Sequence, residues 1–417
     1  MSISTIICVL LSVPFMKGLS FYLSLFFLFI GVYLQVSNGV SIDSLFYSFA
    51  NISNIITFIG IIPILAIPIK ILFDSKKGLS DMTSDIKSNQ GLYNKGQTLS
   101  FSMGSIMNLG AIPMSWTILE GKELNDDANR SLATSITRGF SLAMLWSPIG
   151  AGVAIIVDTT GVFVIKLLPI SLGIAIFGLL LDRFINSFSK NPFRLVTEIS
   201  LQKTPKSRVM YLVFPLLLFM TSTILLDLIL PYGMLYIIAI TTLPFTYIWS
   251  FFLKRTKKYQ ILLKGHIETG IPGMYGQFGI LLSAGFFVNS LENKKFINSL
   301  FYYFSMLKEY VGVSTLLIIG MTSVIILAMI GVHQFVAFSL ISVMINPLEL
   351  GISPVIYSLG MLTALSTGIM ISPFNGSTAL MSSLIKDSPF VIVKWNIIFA
   401  SIFFSLIAGF LILYLSI

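Results

Sequence analysis

The sequence predicts an all-α polytopic membrane protein made of two inverted repeats. Each repeat has about five transmembrane helices plus one re-entrant hairpin, with discontinuous helices at the midplane. Three observations carry this expectation. Of 417 residues, 55% are hydrophobic and only 10% charged, and mean hydropathy is +0.92, whereas a water-soluble domain carries about 25% charged residues. Two apolar segments are interrupted in the same way, at Ser147-Pro148 and Ser372-Pro373. Lysine and arginine gather between apolar segments, as the positive-inside rule requires.

Spans come first. Crossing the hydrocarbon takes roughly 20 apolar residues, and apolar segments fall near 3–16, 20–37, 53–74, 131–157, 160–182, 208–227, 229–252, 266–288, 354–385 and 391–416. Two further stretches are irregular. The segment 98–119 carries Ser102, Gly104, Ser105, Asn108, Gly110 and Pro113, and 314–346 is interrupted by Gly331-Val332-His333-Gln334. Both read as hairpins that enter the membrane and turn back, which requires the turn to be buried in protein or to line a wet cavity.

Charge sets orientation. The segment 183–207 holds Arg183, Lys190, Arg194, Lys203 and Lys206, and 253–265 holds Lys254, Arg255, Lys257, Lys258 and Lys264 with no acid. Both are expected as cytoplasmic loops, joined there by 75–100 with Lys76, Lys77, Lys87 and Lys95. Were 98–119 a full span, every later segment would flip and expose the basic loops outside, so a hairpin is the better count. The first repeat then covers 1–185, a cytoplasmic linker covers 186–207, and the second repeat covers 208–417. An odd number of spans per half inverts one half relative to the other and puts both termini outside. Lys17 follows the first apolar run instead of preceding it, so no cleaved signal peptide is expected.

Several function classes fall away. Cys8 is the single cysteine and His266 and His333 are the two histidines, so neither a disulfide nor a Cys- or His-rich metal cage is expected. The net charge of +9 reflects topology, and no nucleic-acid partner is expected. No acid–base cluster beside a long outer loop suggests a membrane-embedded enzyme, such as a transferase of lipid-linked sugars. The chain is expected to be a non-enzyme in the cell membrane, with the lipid bilayer as its surroundings.

The paired breaks carry the functional signal. Asn108 precedes Ser147, and His333 precedes Ser372, by the same 39 residues. Proline lacks an N–H and clashes with the preceding turn, opening the helix. The half-helix ending there presents carbonyls, suited to Na⁺, and the half-helix beginning there presents N–H groups, suited to an anion. Secondary transporters surround a midplane site with such broken helices. On this basis Asn108, Gly150, His333, Asn375, Gly376, Ser377 and Thr378 are candidates for solute binding. Ser105, Asn108, Ser147, Ser372 and Asn375 are candidate oxygen donors to Na⁺ as a coupling ion, and no other cofactor is expected.

Trp146-Ser147-Pro148-Ile149-Gly150, its counterpart Ser372-Pro373-Phe374-Asn375-Gly376-Ser377, and Ser283-Ala284-Gly285-Phe286-Phe287-Val288-Asn289 resemble elements of the ion transporter superfamily. That superfamily includes arsenite permeases, sodium/proton antiporters and divalent-anion/sodium symporters. The resemblance implies sodium- or proton-coupled movement of an organic or inorganic anion by alternating access, and a homodimer as in several relatives. The symporters carry Ser-Asn-Thr at each tip. Here the tips read Met107-Asn108-Leu109 and Val332-His333-Gln334, so among tip residues Asn108 carries over. The antiporter branch has an Asp after the first break, where this chain has Ala151. A sodium/proton antiporter on the same scaffold is the alternative reading.

Individual charged residues are weighed too. Asp158 and Asp227 are expected at outer ends, and Glu268 near the inner start of its span, leaving almost no carboxylate inside the membrane. His333 has two open readings: an anion or proton site, or a hydrogen-bonded hairpin cap. Arg138, Lys166 and Lys394 read as snorkelling side chains, with attraction of anions into an inner vestibule the other reading of Arg138. The spacing of Gly273, Gly276 and Gly279 reads as close helix packing.

Overall fold

The computed structural model describes residues 7–8, 11–16, 19–37, 39, 53–73, 88–119, 126–188, 206–291, 294–348 and 350–416. Lys76, Lys77, Lys87, Glu120, Glu123 and most of the 186–207 linker lie outside the described residues. Among those described, the regular structure is all helical, and seven segments are long and apolar enough to cross a membrane. The chain is an all-α polytopic membrane protein. Its outer faces agree: Phe29, Phe184, Phe214, Phe252 and Phe410 are exposed, a surface that only hydrocarbon or a partner would cover.

A short 3₁₀ turn, Val13–Phe15, precedes α1 (Leu19–Ser37). Helix α2 (Ser53–Ile61) passes through a 3₁₀ segment, Ile62–Leu65, into α3 (Ala66–Phe73). Pro63, with no N–H to give, accounts for that change of winding. Helix α4 (Asn89–Met107) is capped by the Ser88 side chain, which accepts from the Gly91 N–H at 3.0 Å. The 3₁₀ turn Asn108–Gly110 links it to α5 (Ala111–Leu119). Helix α6 (Asp126–Ala143) opens on Asp126 and Asp127, which suit the positive end of its dipole. After a break come α7 (Ala151–Thr160), stopped by left-handed Gly161, and α8 (Val164–Ser187).

Helices α9 (Lys206–Ile229), α10 (Met234–Phe252) and α11 (Thr256–Gly265) follow. A π-helical turn, His266–Gly270, and a 3₁₀ turn, Pro272–Met274, lead into α12 (Tyr275–Leu291). The chain ends in α13 (Lys294–Met329), α14 (Gln334–Met344), α15 (Pro354–Ile371), α16 (Gly376–Ile385) and α17 (Pro389–Ser416).

The order long arm, tip, short arm, half-helix, break, half-helix, long helix therefore occurs twice, in α4–α8 and in α13–α17. Their packing is reciprocal. Helix α7 lies against α14 and α15, while α16 lies against α5 and α6. Helix α15 is buried from Ile356 to Ile371, so the second broken helix runs through the centre of the molecule. Small residues allow the contacts: a Cβ on Gly139 of α6 would run into the Gln97 carbonyl of α4.

Three expectations need correction. The arm leading to the first tip is longer than the proposed hairpin: helix α4 starts at Asn89, not near 98. In α13 the non-helical Gly312 (φ 79°, ψ 161°) separates the arm that reaches the second tip from the helix before it, next to the expected start near 314. The segment 253–265, read as a loop from its charges, is mostly helix α11. It is amphipathic: Tyr259 is buried in a cluster with Ile64, Ile67 and Ile71, and the Tyr259 hydroxyl is 2.8 Å from that of Thr246.

The third correction concerns Arg138, which does not snorkel. It is 8% exposed and pairs with Asp182, itself 0% exposed, at 2.6 Å. Its guanidinium also donates to the Tyr93 hydroxyl at 3.2 Å, the Asn396 side chain at 2.9 Å and the Trp395 carbonyl at 2.8 Å. Gln97 and Tyr93 of α4 donate to Asp182 at 2.6 and 2.8 Å. Six side chains from α4, α6, α8 and α17, counting the Phe399 ring under the guanidinium at 4.8 Å, thus close a buried network. A buried charge is tolerated only when paired and hydrogen-bonded in this way. Asp182 is thus a buried carboxylate within a span that the sequence reading missed.

Two acids have other local roles. Asp158 accepts from the Met234 and Leu235 N–H groups at 2.6 and 3.2 Å, capping α10. Glu268 is exposed and sits 3.6 Å from Lys264.

Candidate functional site: a cavity between two hairpin tips

Both Ser-Pro breaks are built alike. The last helical bonds are Ser147 N–H to the Ala143 carbonyl at 3.1 Å and Ser372 N–H to the Gly368 carbonyl at 2.9 Å. Proline follows, with no N–H to continue the ladder. The chain then turns: Gly150 N–H donates to the Ser147 carbonyl at 2.9 Å, and Asn375 N–H to the Ser372 carbonyl at 3.4 Å. Each serine hydroxyl leaves its own helix and donates to the end of the neighbouring long arm. Ser147 reaches the Ser105 carbonyl at 2.6 Å, and Ser372 reaches the Ala328 carbonyl at 2.7 Å.

The tips turn by different means. Asn108 takes positive φ (51°), and its side-chain oxygen accepts from the Leu109 N–H at 2.8 Å. That bond occupies the N–H that would otherwise continue the helix to the Ser105 carbonyl, and so leaves that carbonyl to Ser147. At the second tip Gly331 (φ 102°) closes a Schellman-type turn, with Val332 N–H on the Leu327 carbonyl at 2.9 Å. His333 caps α14, its Nδ1 accepting from the Phe335 N–H at 3.3 Å.

A cavity of about 530 Å³ lies between the two tips and the two breaks. Among the sequence candidates, Asn108, His333, Ser372, Asn375 and Gly376 line it. At the first break Ala151 and Gly152 line it, while Gly150 is buried beside them and does not. Ser105, Ser147, Ser377 and Thr378 are also buried off the lining. Their hydroxyls are engaged locally: Ser105 donates to the Ser102 carbonyl at 2.9 Å, Ser377 to the Asn375 side chain at 3.0 Å, and Thr378 to the Ser372 carbonyl at 2.7 Å.

The structure adds polar residues that the sequence reading passed over. Gln334 accepts from the Asn375 side-chain amide, tying the second tip to the second break. The amide of Gln277 on α12 sits 3.2 Å from His333 Nε2. Gln277 shares its stretch with Gly276 and Gly279, where an added Cβ would press on Phe15 and Met16. Close packing therefore holds at Gly276 and Gly279 but not at Gly273, where an added Cβ meets nothing within 4 Å, and Gly276 also borders the cavity. Lys70 of α3 borders it too, beside Ile59, Ile62, Pro63 and Ala66 from the unwound α2–α3 region. The remaining wall is mostly apolar, with Met107, Leu109, Phe140, Met144, Met274, Ile280, Phe335, Leu365 and Phe374.

Fold and site together define a polytopic helical membrane protein in which two helix breaks and two hairpin tips enclose a central cavity. No family model matches the sequence, and no curated protein matches it. The motif resemblance to the ion transporter superfamily therefore stands on the residues alone. The fold is similar to that of a solved structure, the YdaH transporter of Alcanivorax borkumensis, which was described as having an unusual topology. The TM-score is 0.62 at 13% identity, over 95% of this chain and 97% of that one. At that identity the likeness is one of fold.

Proposed function

We propose that the protein is a secondary active transporter that carries a small anion, an organic carboxylate or an inorganic oxyanion, across the cell membrane by alternating access coupled to sodium or protons. The observation that carries this reading is the composition of the cavity. Both tips and the first residues of both second half-helices border it, and no Asp or Glu among the described residues does. Helix starts favour negative charge, and broken helices around a central site are the architecture of secondary transport. The apolar walls favour an organic carboxylate, since a bare oxyanion would find few partners there. Likeness of fold to a transporter supports the same reading.

In this mechanism 1–185 and 208–417 act as inverted repeats joined by 186–207. A hairpin and its broken helix move together against the remaining spans, because each Ser-Pro hydroxyl fastens the break to its own long arm. Asn108, His333, Asn375 and Gly376 contact the solute. Oxygens near Ser105, Asn108, Ser147, Ser372 and Asn375 would receive Na⁺ when sodium is the coupling ion. Proton exchange for sodium is disfavoured because no Asp or Glu stands among the described residues that border the cavity. The buried Asp182 is held by Arg138, in a network of α4, α6, α8 and α17 off the cavity lining.

The test is uptake by the purified protein in proteoliposomes. Succinate, citrate, benzoate, gluconate, sulfate and phosphate are offered with and without an inward sodium or proton gradient. Accumulation of one of these under a gradient supports the proposal. No anion flux, together with sodium-driven change of internal pH, would establish the antiporter instead.

A further inference from the structure

We infer that Lys70 sets the charge selectivity of the cavity, its ammonium pairing with the negative group of the solute. This rests on the transporter reading above. Among the described residues that border the cavity, Lys70 is the one with a formally charged side chain. The other polar side chains there, including Asn108, Gln277, Gln334 and Asn375, are neutral, so Lys70 supplies the fixed charge by which a solute can be sorted.

Its position suits the task. Lys70 belongs to α3, seven residues beyond Pro63, about 10 Å further along the helix axis. It is exposed, so it marks where the cavity opens. It pairs with no carboxylate among the described residues. An ionised side chain in a span is costly and is retained where it meets water or a ligand. The surroundings add to its field: α3 packs against α11, which carries Lys257, Lys258 and Lys264, the last offset by Glu268 at 3.6 Å. Positive charge beside an opening raises the local concentration of anions.

The experiment uses full-length protein in proteoliposomes and the anion from the panel above that the wild type accumulates. Lys70→Gln should raise its KM about tenfold or more, while Lys70→Arg should stay near wild type. A chemical version separates charge from folding. Lys70→Cys is made in a Cys8→Ser background, folded, reconstituted, and then modified. Aminoethyl methanethiosulfonate, which restores a cation, should recover uptake, and the sulfonatoethyl reagent, which installs an anion, should not. Unchanged KM in Lys70→Gln, or equal recovery with both reagents, would overturn the role of Lys70 and leave the transporter reading intact. A wild type that moves none of the anions would overturn both.

Discussion

The hydroxyl of Ser147 donates to the main-chain carbonyl of Ser105, 2.6 Å away and 42 residues earlier in the chain. Its counterpart joins Ser372 to Ala328 at 2.7 Å. Each bond ties an open helix to the end of the arm that carries a tip. The serine before each proline is therefore a fastener as well as a helix breaker, and the element that it fastens borders the cavity.

Removing a fastener should loosen one tip. Ser147→Ala leaves the Ser105 carbonyl without its side-chain donor, a loss of about 1–3 kcal/mol, and Ser372→Ala should cost less, because the Ala328 carbonyl keeps the Gly331 N–H at 3.3 Å. Thermal unfolding in detergent should show both losses, and uptake should fall more than stability does. Threonine at either position keeps the hydroxyl and should preserve most of the function.

The two asparagines should separate function from folding. Asn108→Ala and Asn375→Ala remove polar groups that border the cavity. We expect uptake to be abolished in both, with each variant also losing about 1 kcal/mol for the tip or cap hydrogen bond it gives up, a shift of a few degrees in unfolding temperature that leaves the fold intact. Wild-type uptake in both variants would refute the assignment of the solute site.

Much of this centre was legible in the sequence because its signals are local. Ser-Pro followed by glycine interrupts apolar periodicity within a few residues, and the equal spacing to Asn108 and His333 tied each break to a tip. The Arg138–Asp182 pair was not legible. Its partners are 44 residues apart, and Asp182 sits at the end of an apolar run beside Arg183, where it reads as a boundary charge. Arginine in an apolar segment looks the same whether its head reaches the interface or a buried acid. Gln334 and Gln277 were missed for a similar reason: only the folded chain brings them to Asn375 and His333. The helical nature of 256–265 was hidden by its lysines, although the lone buried Tyr259 gives it an apolar side.

The ion pair gives a stability prediction. Arg138→Leu leaves Asp182 buried and unpaired and should cost about 3–5 kcal/mol. Adding Asp182→Leu should recover most of that loss, because the uncompensated charge is gone. Chemical unfolding of the single and double variants checks this, and a double variant no better than Arg138→Leu would contradict it.

Helix contact gives another. At Gly139 an added Cβ meets the Gln97 carbonyl, which is main chain and cannot swing aside. Gly139→Ala should therefore destabilise the protein by about 1–3 kcal/mol. Gly173, with nothing within 4 Å of its would-be Cβ, should accept alanine without loss, and paired unfolding curves would compare the two sites.

The most direct measurement asks whether the cavity opens in turn to both sides of the membrane. Ala151→Cys, at a cavity-lining position outside the assigned solute contacts, is made in a Cys8→Ser background, reconstituted and exposed to a membrane-impermeant thiol reagent from either face. The account predicts labelling from both faces, slowed on each by the transported anion. Labelling from one face alone, whatever the gradient, or rates indifferent to the anion, would contradict it.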